Sequence, residues 1–133
     1  MRSLLKKVIC MAALAAAAFS FVSAQAQEVA PKTSGNPIFP GWYADPEAII
    51  YGDRYWIYPT YSAPYDQQVF FDCFSSADLV TWTKHEKLIT NEEVKWARRA
   101  MWAPSVIQHE GKYYFFFAAN DVHEGEVGGI GVA

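Results

Sequence analysis

The chain has 133 residues, a formal net charge of −3 and an aromatic content of 17%. This acidic balance argues against a nucleic-acid partner, because phosphate recognition needs a basic surface. Of the two cysteines, Cys10 lies in the apolar leader described next, so Cys73 has no partner for an internal disulfide and a disulfide-stapled scaffold is excluded.

Residues 1–26 have the pattern of a signal peptide. Three basic residues precede an almost wholly apolar stretch over residues 8–22, and small residues follow, which predicts cleavage after Ala24 or Ala26. The stretch is shorter than the roughly 20 residues that a membrane-spanning helix needs, which favours a cleaved signal peptide. A retained membrane anchor is the less favoured alternative. We expect a secreted or periplasmic protein with no membrane association after cleavage. Its eight remaining basic and 14 acidic residues give a formal charge of −6.

Residues 27–35 are polar and contain proline and glycine, which is typical of a linker. From Asn36 onward, short apolar and aromatic runs between turn residues predict strands, and no long helix is indicated. The pattern allows a helical turn only in residues 91–100. The predicted strands are residues 48–51 and 54–58, which form a hairpin around Gly52-Asp53, then 68–75 and 81–89, and a second hairpin of 101–108 and 112–119.

The two hairpins resemble each other at an offset of 58 residues. Asp45 aligns with Ala103 and Pro46 with Pro104, and the aromatic positions of the second strands also coincide. Self-similarity of this kind predicts a repeat architecture such as a β-propeller. Accidental likeness between two hairpins is the alternative.

Asp45 stands where the second hairpin has Ala103, so the fold itself does not require an acid at this position. The proline that follows predicts an extended conformation for Asp45. With Trp42 and Tyr43 beside it, this carboxylate is a candidate for chemistry. A turn-forming aspartate is the competing interpretation.

Aromatic side chains around this position are candidates for stacking on sugar rings. The candidate substrate-binding residues are Trp102, Tyr61 and Trp42, with ordinary core packing as the alternative. The three histidines lack metal-ligand spacing, so we expect no metal, and no other cofactor is expected. The Gly-x-Ser-x-Gly motif of serine hydrolases is absent. Glu47 has two possible orientations, outward or toward the site.

Four motifs together resemble glycoside hydrolase family 43, whose members cleave arabinose- and xylose-containing glycans. The motifs are Asn36-Pro37-Ile38 with Tyr43-Ala44-Asp45-Pro46, the run YGDRYW at 51–56, the run FSSADLVTW at 74–82, and MWAPSV at 101–106 with GKYY at 111–114. The resemblance implies an all-β, five-bladed β-propeller. Residues 36–133 would supply about its first two blades, so the chain is expected to be truncated.

The resemblance also implies inverting hydrolysis of a carbohydrate substrate by two carboxyl groups, with Asp45 as the general base. The general acid and a third, pKa-tuning carboxylate belong to later blades, and no residue here matches them. The chain alone is therefore expected to be inactive. A non-catalytic carbohydrate-binding propeller and a non-functional remnant are the alternatives, but a binding module has no use for a base.

Overall fold

The computed structural model describes residues 32–121 and 128–133. The predicted signal peptide lies outside these ranges, as do residues 27–31 of the predicted linker. Strands and one short 3₁₀ helix make up the described elements, which confirms the all-β prediction. The strands are β1 (Tyr43–Tyr51), β2 (Arg54–Tyr61), β3 (Phe70–Ser76), β4 (Thr83–Thr90), β5 (Arg99–His109), β6 (Lys112–Asp121) and β7 (Gly129–Val132), and the 3₁₀ helix is Tyr65–Gln67. No helix in these ranges is long and apolar enough to span a membrane.

The strands form two antiparallel sheets that pack against each other. The first sheet has the order β1-β2-β3-β4, and the second has the order β5-β6-β7. Rings from both sheets meet in the core, where the Phe115 centroid lies 5.0 Å from that of Phe71 and 5.9 Å from that of Tyr58. Burial of these apolar side chains is the main force that joins the sheets.

Both predicted hairpins are confirmed, and each has a glycine with positive φ in its bend. Gly52 has φ 62° in the first bend, and Glu110 and Gly111 have φ 49° and 76° in the second. Such angles match the twist of tight β-hairpins. The first strand begins at Tyr43, earlier than predicted, because its pairing extends to Tyr43 opposite Tyr61.

The helical turn allowed in residues 91–100 is present only as isolated turns. The Val94 N–H donates to the Thr90 carbonyl at 3.0 Å, and the Ala97 N–H donates to the Val94 carbonyl at 3.2 Å. Arg99 already belongs to β5, where it pairs with β6. Because β5 begins at Arg99, the isolated turns before it do not continue as a helix.

A β-bulge interrupts the first strand of each sheet at the same place in the repeat. The register shifts between Ala44 and Glu47 in β1 and between Trp102 and Ser105 in β5. Asp45 has φ 46° and its counterpart Ala103 has φ 47°, so the prediction of an extended Asp45 is wrong. Proline disfavours the right-handed helical region for the residue before it, and here the bulge places that residue in the left-handed region.

Repeat-equivalent positions of the two sheets lie side by side. The Ser105 hydroxyl donates to Glu47 Oε1 at 2.9 Å, and these residues are 58 positions apart, the offset of the repeat. The Val106 N–H donates to Glu47 Oε2. Glu47 therefore points neither outward nor into the candidate site. It joins β1 to β5, which holds the first strands of the two sheets together.

Candidate active site

The bulge in β1 places Asp45 at the edge of a cleft between the two sheets. Asp45 is exposed, and the cleft has a volume of about 240 Å³. Residues of β1, β2, β5 and β6 contribute to it, together with the segment after β2. The lining residues are Ala44, Asp45, Thr60, Ser62, Tyr65, Gln68, Trp102 and Asn120. Asp45 is the one carboxylate among them.

A buried threonine contacts both bulges. Thr60 is 2% exposed, and its hydroxyl donates to Asp45 Oδ2 at 3.1 Å. The Ala103 backbone N–H donates to the same hydroxyl oxygen at 2.7 Å. The Asp45 side chain and the β5 backbone are thus joined through one side chain of β2.

Trp102 lies in the same cleft as Asp45. Trp102 is 37% exposed, and its indole N–H donates to Asn120 Oδ1 at 3.1 Å. Trp102 and Asn120 also line a neighbouring hollow of about 390 Å³. A half-exposed indole held by a hydrogen bond presents a fixed apolar face, which suits stacking on a ring-shaped ligand.

Tyr61 and Trp42 are not among the residues that line the Asp45 cleft. Tyr61 is half-buried and stacks on Phe70 with the ring centroids 4.9 Å apart. Trp42 is 81% exposed, and its carbonyl accepts from the Ser62 N–H at 2.9 Å. The structure therefore brings Asp45 and Trp102 together and leaves these two aromatic residues outside the cleft.

Sequence reasoning overlooked Thr60, Gln68 and Asn120. Gln68 is 8% exposed, and its Oε1 has no hydrogen-bond partner among the described residues. A signal for Thr60 was present, because its counterpart at the repeat offset is Ala118. Thr60 and Asp45 are both polar where the other copy of the repeat has alanine.

Asp72 is a second acidic residue of the first sheet, but its carboxylate is already occupied. Tyr43 donates to Oδ2 at 2.8 Å, the Lys84 ammonium lies 3.1 Å from the same oxygen, and the Lys87 N–H donates to Oδ1 at 2.8 Å. Burial, and then the nearby Asp72, raises the pKa of the Tyr43 hydroxyl above its ordinary value. Asp72 is 2% exposed and holds the sheet together, so it is not available to a substrate.

A larger hollow lies elsewhere. It has a volume of about 500 Å³, and its lining is mainly aromatic and aliphatic, with Arg54 as its only charged side chain. It contains no carboxylate, so hydrolytic chemistry is better supported in the smaller Asp45 cleft. Among the described residues, no group of three or more His, Cys, Asp or Glu side chains is arranged to hold a metal ion.

Glycoside hydrolysis uses a pair of carboxyl groups, and this cleft holds one of them beside an indole on which a sugar ring can stack, which is compatible with a carbohydrate-active enzyme. Residues 34–133 match the sequence profile described as "Glycosyl hydrolases family 43", and the chain belongs to this family.

The chain is similar to several proteins named as glycosidases. It is 49% identical over 110 residues to "Beta-D-galactofuranosidase xynD" of Aspergillus niger. The aligned region covers 75% of this chain and 31% of the relative. It is 31% identical over 92 residues to "Xylosidase/arabinosidase 43A" of Humicola insolens. This aligned region covers 59% of this chain and 28% of the relative. The chain thus spans about a third of the length of these curated relatives.

Solved structures show the same similarity. The GH43_1 enzyme from Xanthomonas citri complexed with xylotriose superposes with a TM-score of 0.61 at 28% identity, over 69% of this chain and 28% of that one. RS223 β-xylosidase superposes with a TM-score of 0.60 at 27% identity, over 70% of this chain and 32% of that one.

Proposed function

We propose that residues 36–133 form the first two blades of a five-bladed β-propeller glycosidase in which Asp45 is the general base. The observation that carries the proposal is the shared cleft: the bulge in β1 exposes the Asp45 carboxylate beside the half-exposed Trp102 indole. An aspartate that only forms a turn would not require an exposed indole beside it. Family membership, with relatives named as glycosidases, supports the same assignment.

In this mechanism, Asp45 accepts a proton from a water molecule as the water attacks the anomeric carbon. A second carboxyl group, supplied by a later blade, protonates the leaving oxygen from the opposite face of the sugar. In inverting enzymes the two groups are about 6.5–9.5 Å apart, which leaves space for the water. Thr60 holds Asp45 Oδ2, so the other carboxylate oxygen would receive the proton.

We propose that the substrate is an arabinose- or xylose-containing plant polysaccharide or oligosaccharide. The names xylosidase and arabinosidase among the relatives, and the xylotriose complex of the Xanthomonas citri enzyme, support this class. A β-D-galactofuranoside is a second candidate, because the relative with 49% identity carries the name galactofuranosidase. In either case Trp102 would stack on the sugar, and Trp42 and Tyr61 would contact it outside the cleft.

The test uses a hybrid enzyme in which residues 36–133 replace the segment of the Aspergillus niger relative that they match. We expect the hybrid to hydrolyse aryl furanosides or aryl pentosides with inversion. Asp45→Asn should lower kcat by roughly 10²–10⁴-fold, the usual contribution of general-base catalysis, and retain sugar binding. Asp53→Asn, in the exposed hairpin bend, is the matched control and should leave kcat unchanged.

Four results would separate the alternatives. Wild-type turnover by Asp45→Asn would show that this acid is only a turn residue. A folded hybrid that binds sugar and does not hydrolyse it would favour a carbohydrate-binding propeller, and a folded hybrid with neither property would favour a remnant. Activity lost only in Asp45→Asn would support the enzyme.

We also propose that the protein is exported, on the basis of the basic start, apolar stretch and small residues in residues 1–26. Mass spectrometry of secreted material should find an N-terminus at Gln25 or Gln27. Secreted protein with an intact Met1 would contradict export by cleavage of this leader.

A further inference from the structure

The Thr60 hydroxyl has two partners whose chemistry determines the direction of its proton. It receives the Ala103 N–H at 2.7 Å and lies 3.1 Å from Asp45 Oδ2. A hydroxyl carries one proton, and a backbone N–H can only donate. The hydroxyl proton is therefore directed to the carboxylate, in the order Ala103 N–H, Thr60 Oγ1–H, Asp45 Oδ2.

This contact restrains a side chain that the fold otherwise leaves exposed. Asp45 lies on a bulge with φ 46° and faces the cleft, so a carboxylate there can rotate unless a partner holds it. Thr60 is buried and β-branched, which makes its own side chain stiff. A hydrogen bond to a carboxylate is stronger than one between neutral groups. Thr60 thereby selects one oxygen and leaves the other for the water.

Thr60 also links the position of Asp45 to the second sheet. Ala103 is the repeat counterpart of Asp45, and it directly follows Trp102 in β5. One hydroxyl thus holds both bulges, and through Ala103 it holds the backbone that carries the Trp102 indole. The repeat counterpart of Thr60 is Ala118, so the hairpin itself does not require a hydroxyl at this position.

We propose that Thr60 is a positioning residue for hydrolysis. It orients the Asp45 carboxylate toward the water, and it sets the distance between this carboxylate and the Trp102 indole on which the sugar would stack. This inference rests on the proposed function of Asp45. Thr60 also borders the cleft, but it is 2% exposed and its hydroxyl is engaged by Asp45 and Ala103, so it acts through the base.

The test compares Thr60→Val, which keeps the shape and removes the hydroxyl, with Thr60→Ser, which keeps the hydroxyl, in the hybrid enzyme. We expect Thr60→Val to lower kcat by roughly 10–100-fold, since small misplacements of reacting groups cost up to about 10²-fold. KM should change less than about threefold. Thr60→Ser should recover most of the lost kcat. Thr83→Val, in an exposed part of β4, is the matched control and should change neither constant.

A double-mutant cycle separates positioning from general stability. If Thr60 acts through Asp45, adding Thr60→Val to Asp45→Asn should lower the residual kcat little further. An equal loss in both backgrounds, or wild-type kcat in Thr60→Val, would overturn the inference. Should Thr60→Val fail to fold, Thr60→Ala carries the same expectations. An inactive wild-type hybrid would refute the proposed function instead, and an active hybrid that needs Asp45 but not Thr60 would refute this inference alone.

Discussion

Asp45 and Ala103 show how one backbone feature takes on different roles in two copies of a repeat. Both residues precede a proline, and both have a φ near 46°. Aspartate tolerates this left-handed region better than most residues, whereas alanine gains nothing there. The bulge is therefore a feature of the repeat, and the carboxylate is an addition in the first copy only.

A glycine substitution tests the strain at the second bulge. Ala103→Gly should raise the stability of the hybrid enzyme by about 1 kcal/mol, because a residue without Cβ adopts positive φ without penalty. The N–H that contacts Thr60 is retained. Ala48→Gly, in a regular part of β1, is the matched control and should lower stability by about 0.5–1 kcal/mol. Urea unfolding measures both, and a destabilised Ala103→Gly would contradict the strain.

At the scale of the elements, the cleft depends on how β1 and β5 are held side by side. Three side chains of the first sheet form hydrogen bonds to β5. Thr60 accepts from the Ala103 N–H, Glu47 accepts from Ser105 and the Val106 N–H, and the Tyr51 hydroxyl donates to the Val106 carbonyl. These contacts are polar and directional, whereas the core behind them is apolar. The core brings the sheets together, and the hydrogen bonds set the relative position of the two bulges.

Removing the Glu47 carboxylate should weaken this attachment. Glu47→Ala leaves the Ser105 hydroxyl and the buried Val106 N–H without their partner, and unpaired buried polar groups cost about 1–3 kcal/mol each. We expect the free energy of unfolding of the hybrid enzyme to fall by a few kcal/mol in total. Glu92→Ala, at an exposed turn position, should change it by less than about 0.5 kcal/mol. Equal effects of the two substitutions would show that the bridge contributes nothing.

At the scale of the whole molecule, the described residues present edges and apolar surface that further blades of the proposed propeller would cover. The strand β7 pairs only with β6 in the described part of the chain, and Ile130 and Val132 on it are exposed. Open strand edges and apolar patches promote association. A β-propeller leaves only short, protected edges, and the chain spans about a third of its curated relatives.

The five-bladed proposal therefore predicts the behaviour of the isolated chain. Residues 27–133, expressed alone, should aggregate or form mixed oligomers, and they should not hydrolyse aryl glycosides. Size-exclusion chromatography with light scattering measures the first property. A monodisperse monomer that unfolds cooperatively would show that these residues are a complete small domain.

The sequence by itself determined the family, the all-β class, both hairpins and the candidacy of Asp45 and Trp102. These features are encoded locally: turn residues at the bends, aromatic strands between them and short motifs in a fixed order. The repeat offset even predicted which positions of the two copies correspond.

Only the tertiary structure decided how the site is held. Thr60 meets Ala103 across 43 residues, and Glu47 meets Ser105 across 58, so no local pattern could pair them. The proline after Asp45 predicted an extended residue, but the bulge turned it into the left-handed region and toward the cleft. The physical reason is that hydrogen bonds between distant strands depend on how two sheets pack, and a strand's own sequence does not specify its neighbour.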